Sequence, residues 1–192
     1  SRNSKQTGSR LGGKHMLRRG ILPEYKGAKL RWCWDYIDKQ YNYLGTVARY
    51  DCLDGKKQII PYFNINDGRL NVGSLPKPRP LYGQEKLANS NPDFVLITEG
   101  EKCTAALQSL GFIAVTSIGG SKQVEHADWS AIKGFKEVII IPDNDEPGAE
   151  YAKSVCGILS KLEPALKINI LNIPNLPKKG DIVDWLQPRI PD

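Results

Sequence analysis

Four short apolar runs, Phe94–Thr98, Phe112–Ser117, Val138–Pro142 and Ile168–Ile173, constrain this chain more than any other feature. Each is strand-sized, and helical patterns separate them. Between the first two runs, Cys103, Ala106, Leu107 and Leu110 fall on one face of a helix. Between the last two, Ala152, Val155, Cys156, Leu159 and Leu162 do the same. A weaker helical pattern over Val124–Ile132 precedes the third run. Strands alternating with helices build a parallel sheet, because each crossover returns the chain to run in the same direction. Both faces of such a sheet are covered, which is why its strands read as nearly unbroken apolar runs.

Upstream of Pro92 the pattern is different. Trp32, Trp34 and Tyr36 alternate with Cys33, Asp35 and Ile37, as in a half-buried strand. Tyr43–Asp51 predicts a second strand, and Asp54-Gly55 a hairpin turn before a third over Lys56–Phe63. Asn66-Asp67-Gly68 marks another turn. Leu75-Pro76-Lys77-Pro78-Arg79-Pro80 is too rich in proline for a helix or a central strand and is expected to be extended. No internal repeat is visible. The boundary is placed near residues 88–93, giving a β-rich subdomain over 16–93 and an α/β domain over 94–192. Ser1–His15, with no acid and almost no apolar residue, reads as a tag-like or disordered arm.

Charge follows the same division. Residues 1–93 carry 17 Lys and Arg against 8 Asp and Glu, whereas residues 94–192 carry 10 against 13. A basic part beside an acidic part suggests polyanion binding next to cation binding. The four cysteines are scattered and only two histidines are present, which excludes a zinc ribbon and argues against a disulfide scaffold. No apolar run approaches the ~18 residues of a membrane span, and none resembles a secretory signal. A cytoplasmic protein without a membrane partner is expected.

Acids mark two of the strand ends. The first run ends in Thr98-Glu99-Gly100-Glu101-Lys102, and the third in Pro142-Asp143-Asn144-Asp145-Glu146-Pro147-Gly148. In an open parallel sheet the carboxyl ends of the strands rim the ligand crevice. Glu99, Asp143 and Asp145 converge there if the first and third strands are neighbours. Three carboxylates in one place repel unless a cation neutralises them, and an all-oxygen set favours Mg²⁺ or Mn²⁺ over Zn²⁺. Each motif also has a purely structural use. Thr98 with Glu101 fits a capping box, and Asp143 and Asp145 fit turn and N-cap chemistry.

The pairing of Ile97-Thr98-Glu99-Gly100-Glu101-Lys102 with Ile141-Pro142-Asp143-Asn144-Asp145-Glu146-Pro147-Gly148, about forty residues on, resembles the TOPRIM domain. Topoisomerases, bacterial and phage primases and some nucleases share that domain. The resemblance spans about residues 94–186 and implies a Rossmann-like α/β sheet flanked by helices. It also implies an acid–base or metal role for Glu99 and Mg²⁺ binding by Asp143 and Asp145. Some members carry an Asp four residues after the Glu, where this chain has Cys103. Lys179-Gly180-Asp181-Ile182-Val183-Asp184-Trp185-Leu186 resembles a tail segment of phage and plasmid primase-like members, which would make Asp181 or Asp184 a support behind the acid site; helix capping is the structural alternative for either. Ser117-Ile118-Gly119-Gly120-Ser121-Lys122 could offer backbone N–H groups and Lys122 to a phosphate, or simply turn the chain.

Val47-Ala48-Arg49, Gly55-Lys56-Lys57 and Arg79-Pro80-Leu81-Tyr82-Gly83 occur in an order similar to the segment that precedes the TOPRIM half of the bacterial primase polymerase core. In that family basic residues of the sheet bind template or nucleotide phosphates. Arg49 and Lys57 are carried over on that resemblance; Lys102 and Lys122 are the remaining candidates for phosphate contact. The expectation is a fragment of a phage- or plasmid-type replication protein that joins ribonucleoside triphosphates on single-stranded DNA, with a replicative helicase as partner or fused domain. Two alternatives stand beside it: a metal-dependent nuclease using the same acids, and a non-catalytic nucleic-acid-binding module.

Overall fold

Alternating side chains from Ala28 onward build an antiparallel sheet in the computed structural model, which describes residues 20–189 apart from 67 and 89. The Ser1–His15 arm lies outside the described residues. The sheet has the order β1 (Glu24–Tyr25), β2 (Ala28–Ile37), β3 (Tyr43–Asp51), β4 (Lys57–Tyr62). A small hairpin, β5 (Asn64–Asn66) and β6 (Arg69–Asn71), follows. The β3–β4 turn closes through the Cys52 N–H on the Lys56 carbonyl at 2.8 Å, with Gly55 at φ +81°. That left-handed position is open to glycine at little cost.

The pleat sends the two sets of residues to opposite faces. Cys33, Ala48, Tyr50 and Tyr62 pack with Ile21 and Leu70 on one face, where the Tyr50 and Tyr62 hydroxyls meet at 2.8 Å. Trp34, Tyr36 and Val47 pack with Phe63 and Tyr82 on the other.

The second sheet is parallel throughout. Its elements in chain order are β7 (Val95–Thr98), α1 (Glu101–Ser109), β8 (Ala114–Val115), β9 (Glu137–Ile141), α2 (Glu146–Leu162), β10 (Lys167–Ile170) and α3 (Ile182–Leu186). The strand order is β10-β9-β7-β8, so β7 and β9 are central neighbours. Ile97, Val138 and Ile140 face Tyr151, Val155 and Leu159 of α2. Leu96 and Ile141 face Cys103 and Leu107 of α1 and Ile182 and Leu186 of α3. Every residue of β7 is buried. The α/β architecture with a preceding β-rich sheet is therefore as expected from the alternation.

Two elements depart from the sequence reading. The helix expected over 124–132 is two 3-10 turns, Ser121–His126 and Trp129–Ile132. Between them, Arg79 of the proline-rich strap donates its N–H to the His126 carbonyl and accepts from the Asp128 N–H, at 2.7 and 2.6 Å. A strap with so few N–H groups takes its partners where it can, and the helix is interrupted there. The strand expected over 112–117 narrows to Ala114–Val115, because Thr116 turns to exchange two hydrogen bonds with Tyr82.

The sheets meet through the Trp34–Tyr36 face. The Tyr36 hydroxyl donates to Glu101 Oε1 at 2.7 Å, with both residues buried. Gln84 Nε2 donates to the Ile37 carbonyl at 3.2 Å. This contact turns one face of the antiparallel sheet toward the carboxyl ends of β7 and β9.

Candidate active site

Because Thr98 of β7 pairs with Ile141 of β9, the residues that follow them leave the sheet side by side. Glu99 sits on a turn fixed by the Gly100 N–H, which donates to Thr116 Oγ1 at 3.0 Å. Burial pushes the Glu99 carboxyl up, with a smaller push from Asp145; the Ser121 N–H and Lys57 oppose it. Its Oε2 is buried with no hydrogen-bond partner. A Cβ on Gly120 would stand 3.1 Å from Glu99 Oε1, so the glycine lets the backbone come close to the carboxylate.

Asp143 carries the same stress more strongly. Burial, then the charges of Glu99, Asp181 and Asp145, raise its carboxyl from 3.8 to about 7, with Lys57 pulling the other way. Asp145 caps α2, accepting the Gly148 N–H at 2.9 Å. Gly148 is required by shape: a Cβ there would collide with the Asp143 carbonyl. The spacing Asp143-x-Asp145-x-x-Gly148 thus describes a turn folded back on itself that leaves both aspartates at the rim. Asp143 feels Glu99, Asp181 and Asp145, and Glu99 feels Asp145, but among the described residues no three His, Cys, Asp or Glu side chains form a ready-made cage.

Among the basic candidates the structure distinguishes sharply. Lys57, at the start of β4, is the cation whose charge is felt at Glu99, Glu101 and Asp143. Arg49 lies on the same sheet face, yet its Nε is held by Asp51 Oδ1 at 2.7 Å. Lys102 is engaged as well, donating to Asp181 Oδ2 at 2.7 Å. Lys122 is exposed on the turn beside Ser121.

No Thr98–Glu101 capping box forms: Gly100 is the N-cap without a side-chain bond, and Thr98 Oγ1 pairs with Thr104 Oγ1 at 2.7 Å. Glu101 is instead the buried partner of Tyr36. Asp181 and Asp184 do form a capping box on α3. The glycine pair at 119–120 presents its Ser121 N–H to the carboxylate of Glu99, the chain's own anion. Tyr36–Glu101 and the side chain of Asn144 escaped the sequence reading. A glutamate that opens a helix looks like dipole chemistry, and nothing local marks a tyrosine 65 residues away as its partner.

Comparison with known proteins agrees with this architecture. Residues 96–186 match the model of the Toprim-like family. The Gene 57 protein of Mycobacterium phage D29 is 32% identical over 101 residues, covering 52% of this chain and 65% of that protein. A DNA primase domain from Pseudomonas aeruginosa superposes with a TM-score of 0.59 at 15% identity, over 85% of this chain and 48% of that one. The DnaG primase catalytic domain bound to single-stranded DNA gives 0.54 at 19%, over 84% and 48%. The chain thus spans about half the length of these primase structures, and at such identities the likeness is one of fold. Among the described residues no helix is long and apolar enough to cross a membrane. Residues 96–186 are thus similar to the Toprim-like family, on a chain whose fold is like that of DNA primase catalytic cores.

Proposed function

We propose that this chain is the nucleotidyl-transfer part of a primase-like replication protein, acting on single-stranded DNA and ribonucleoside triphosphates with Mg²⁺ or Mn²⁺. The observation that carries the reading is the acid rim of Glu99, Asp143 and Asp145 with Lys57 of the facing sheet beside it. The rim suits a divalent cation. Glu99 Oε2 is buried and unpartnered, and the Asp143 carboxyl is pushed up to about 7 by burial first and then by its acidic neighbours; a hard cation offsets both conditions. Glu99, Asp143 and Asp145 would hold it. When bound, the metal supplies Lewis-acid activation of the primer 3′-hydroxyl and neutralises charge on the triphosphate.

The chain's own groups do the rest. Glu99, with its raised affinity for protons, is placed to accept one from the attacking hydroxyl. Lys57 holds a phosphate against the rim as a point charge. The sheet face around it, with half-buried Trp32 under the Arg31 guanidinium at 5.5 Å, offers a stacking surface and charge to a single strand. One of the matched primase domains was solved bound to single-stranded DNA, which supports that choice of polymer. The division of labour corresponds to a basic subdomain over 16–93 and a catalytic one over 94–192.

The test is incubation of the chain with single-stranded DNA, Mn²⁺ and labelled ribonucleotides. New labelled oligomers are the expected product. Shortened DNA would replace this reading with a nuclease that uses water as nucleophile, and retention without chemistry would leave a binding module.

A further inference from the structure

The residue between the two aspartates does more than space them. Asn144 makes four hydrogen bonds to a single segment: its N–H donates to the Gly180 carbonyl at 2.8 Å, and its carbonyl accepts from the Lys179 N–H at 2.9 Å. Its side-chain amide donates to the Leu176 and Pro177 carbonyls at 2.9 and 3.0 Å. Segment 176–180 has no regular structure and contains Lys179 at φ +64°; apart from its own Gly180 N–H to Pro177 carbonyl bond at 2.8 Å, the backbone bonds named for it go to Asn144. The segment leads directly into Asp181, which caps α3 and receives Lys102. Asn144 follows Asp143 and Gly180 precedes Asp181, so the 2.8 Å bond between Asn144 and Gly180 ties the two acids together at one residue's remove on each side. Leu176 also walls a cleft of about 310 Å³ onto which Asp143 and Asp145 open.

The geometry points to Asn144 as a positioning residue, which pins segment 176–180 to the acid turn and so holds the Asp181 carboxylate beside Asp143. The inference rests on the reading that Glu99, Asp143 and Asp145 hold a divalent cation. A smaller residue at 144 would keep the spacing of the aspartates but leave two carbonyls without donors. The segment would then loosen, and the field at the cation site would lose one fixed negative group. Groups that orient a metal site from behind its ligands commonly affect affinity by 10–100-fold.

Calorimetric titration with Mn²⁺ tests this on the full chain as wild type, Asn144→Ala, Asp181→Asn and the double variant. Asparagine at 181 keeps the cap and removes the charge. Each single variant is expected to weaken Mn²⁺ binding about tenfold, with the double no weaker than either. Amide exchange at Asn144 and Lys179 is expected to accelerate while that of β9 stays slow. Wild-type affinity in Asn144→Ala, or two effects that simply multiply, would overturn the role through Asp181. Absence of Mn²⁺ uptake by the wild type would instead bring down the cation site itself and this inference with it. If Asn144→Ala does not fold, Asn144→Ser, which keeps the backbone bonds, is read by the same outcomes.

Discussion

The two sheets place their charges by different rules. In the parallel sheet both faces are covered, so β7 is buried along its whole length and acids stand at the strand ends, Glu137 where β9 begins and Glu99, Asp143 and Asp145 past the carboxyl ends. In the antiparallel sheet the face opposite Tyr50 and Tyr62 is only partly covered, and charged residues stand among apolar ones along the strands. Position in the parallel sheet therefore nearly determines what an acid is for, whereas a lysine or arginine on the pleat is defined by whatever happens to face it. The charge of Lys57 reaches the acid rim; Arg49, two register steps away on the same face, is held along its strand by Asp51, the residue paired with Lys57.

The largest effect expected from this contrast is at the rim. Asp143→Asn with Asp145→Asn should abolish Mn²⁺ binding and lower nucleotidyl transfer by about 100-fold or more, while α2 remains capped because asparagine is a good N-cap. Calorimetry and a primer-synthesis assay check this together; unchanged metal uptake would remove the rim from the mechanism. Glu99→Gln should separate the roles within the acids. Its amide oxygen can still ligate but takes no proton, so turnover falls about 10²–10⁴-fold with a smaller loss of Mn²⁺ affinity. The opposite pattern would make Glu99 a ligand and not a base.

A pH dependence of stability follows from Asp143. Its carboxyl has a pKa of 3.8 unperturbed and about 7 in the fold. Below the first value it is protonated in both states. Between the two, the native protein keeps a proton that the unfolded chain has released, so stability declines as pH rises across that window. The loss is on the order of a few kcal/mol. Urea melts from about pH 4 to pH 8 should show this decline in wild type, flatter in Asp143→Asn. Mn²⁺ should reverse it, since the cation takes the ionised form.

The same contrast explains what was readable beforehand. Strand–helix alternation and acids at strand ends are local in sequence, so the parallel sheet and the Glu99, Asp143 and Asp145 rim were legible. What escaped depends on distant partners. Tyr36 reaches Glu101 across 65 residues, Arg79 interrupts a helix that its own sequence supports, and Lys102 is claimed by Asp181. The cap on Asp145 and its place on the rim are compatible, since the Gly148 N–H engages one carboxylate oxygen and leaves the other out of the cap.

The joint between the sheets gives a smaller and purely structural effect. Tyr36→Phe removes the donor from Glu101 Oε1 in a buried place and should cost ~1–3 kcal/mol. The midpoint of urea unfolding reads it directly, and an unchanged midpoint would mean that water replaces the hydroxyl.

The smallest effect concerns the basic candidates and separates them. If Lys57 contacts a phosphate, Lys57→Ala should flatten the slope of log affinity against log salt for single-stranded DNA by about 0.7, because one fewer counterion is released. Arg49→Ala should flatten it less, since its guanidinium is already neutralised along the strand by Asp51 at 2.7 Å. Removing Asp51 sharpens the comparison: in Asp51→Asn the arginine is freed, and the slope should steepen toward one further contact. Residues 1–15 carry four basic residues and no acid, so the measurement is made with and without them. Exchanging bases should change little, as phosphate contacts carry no sequence information. Equal slopes for Lys57→Ala and Arg49→Ala would show that the sheet face acts as a uniform positive surface, and the distinction between a lysine at the rim and an arginine held on its strand would then have no consequence for binding.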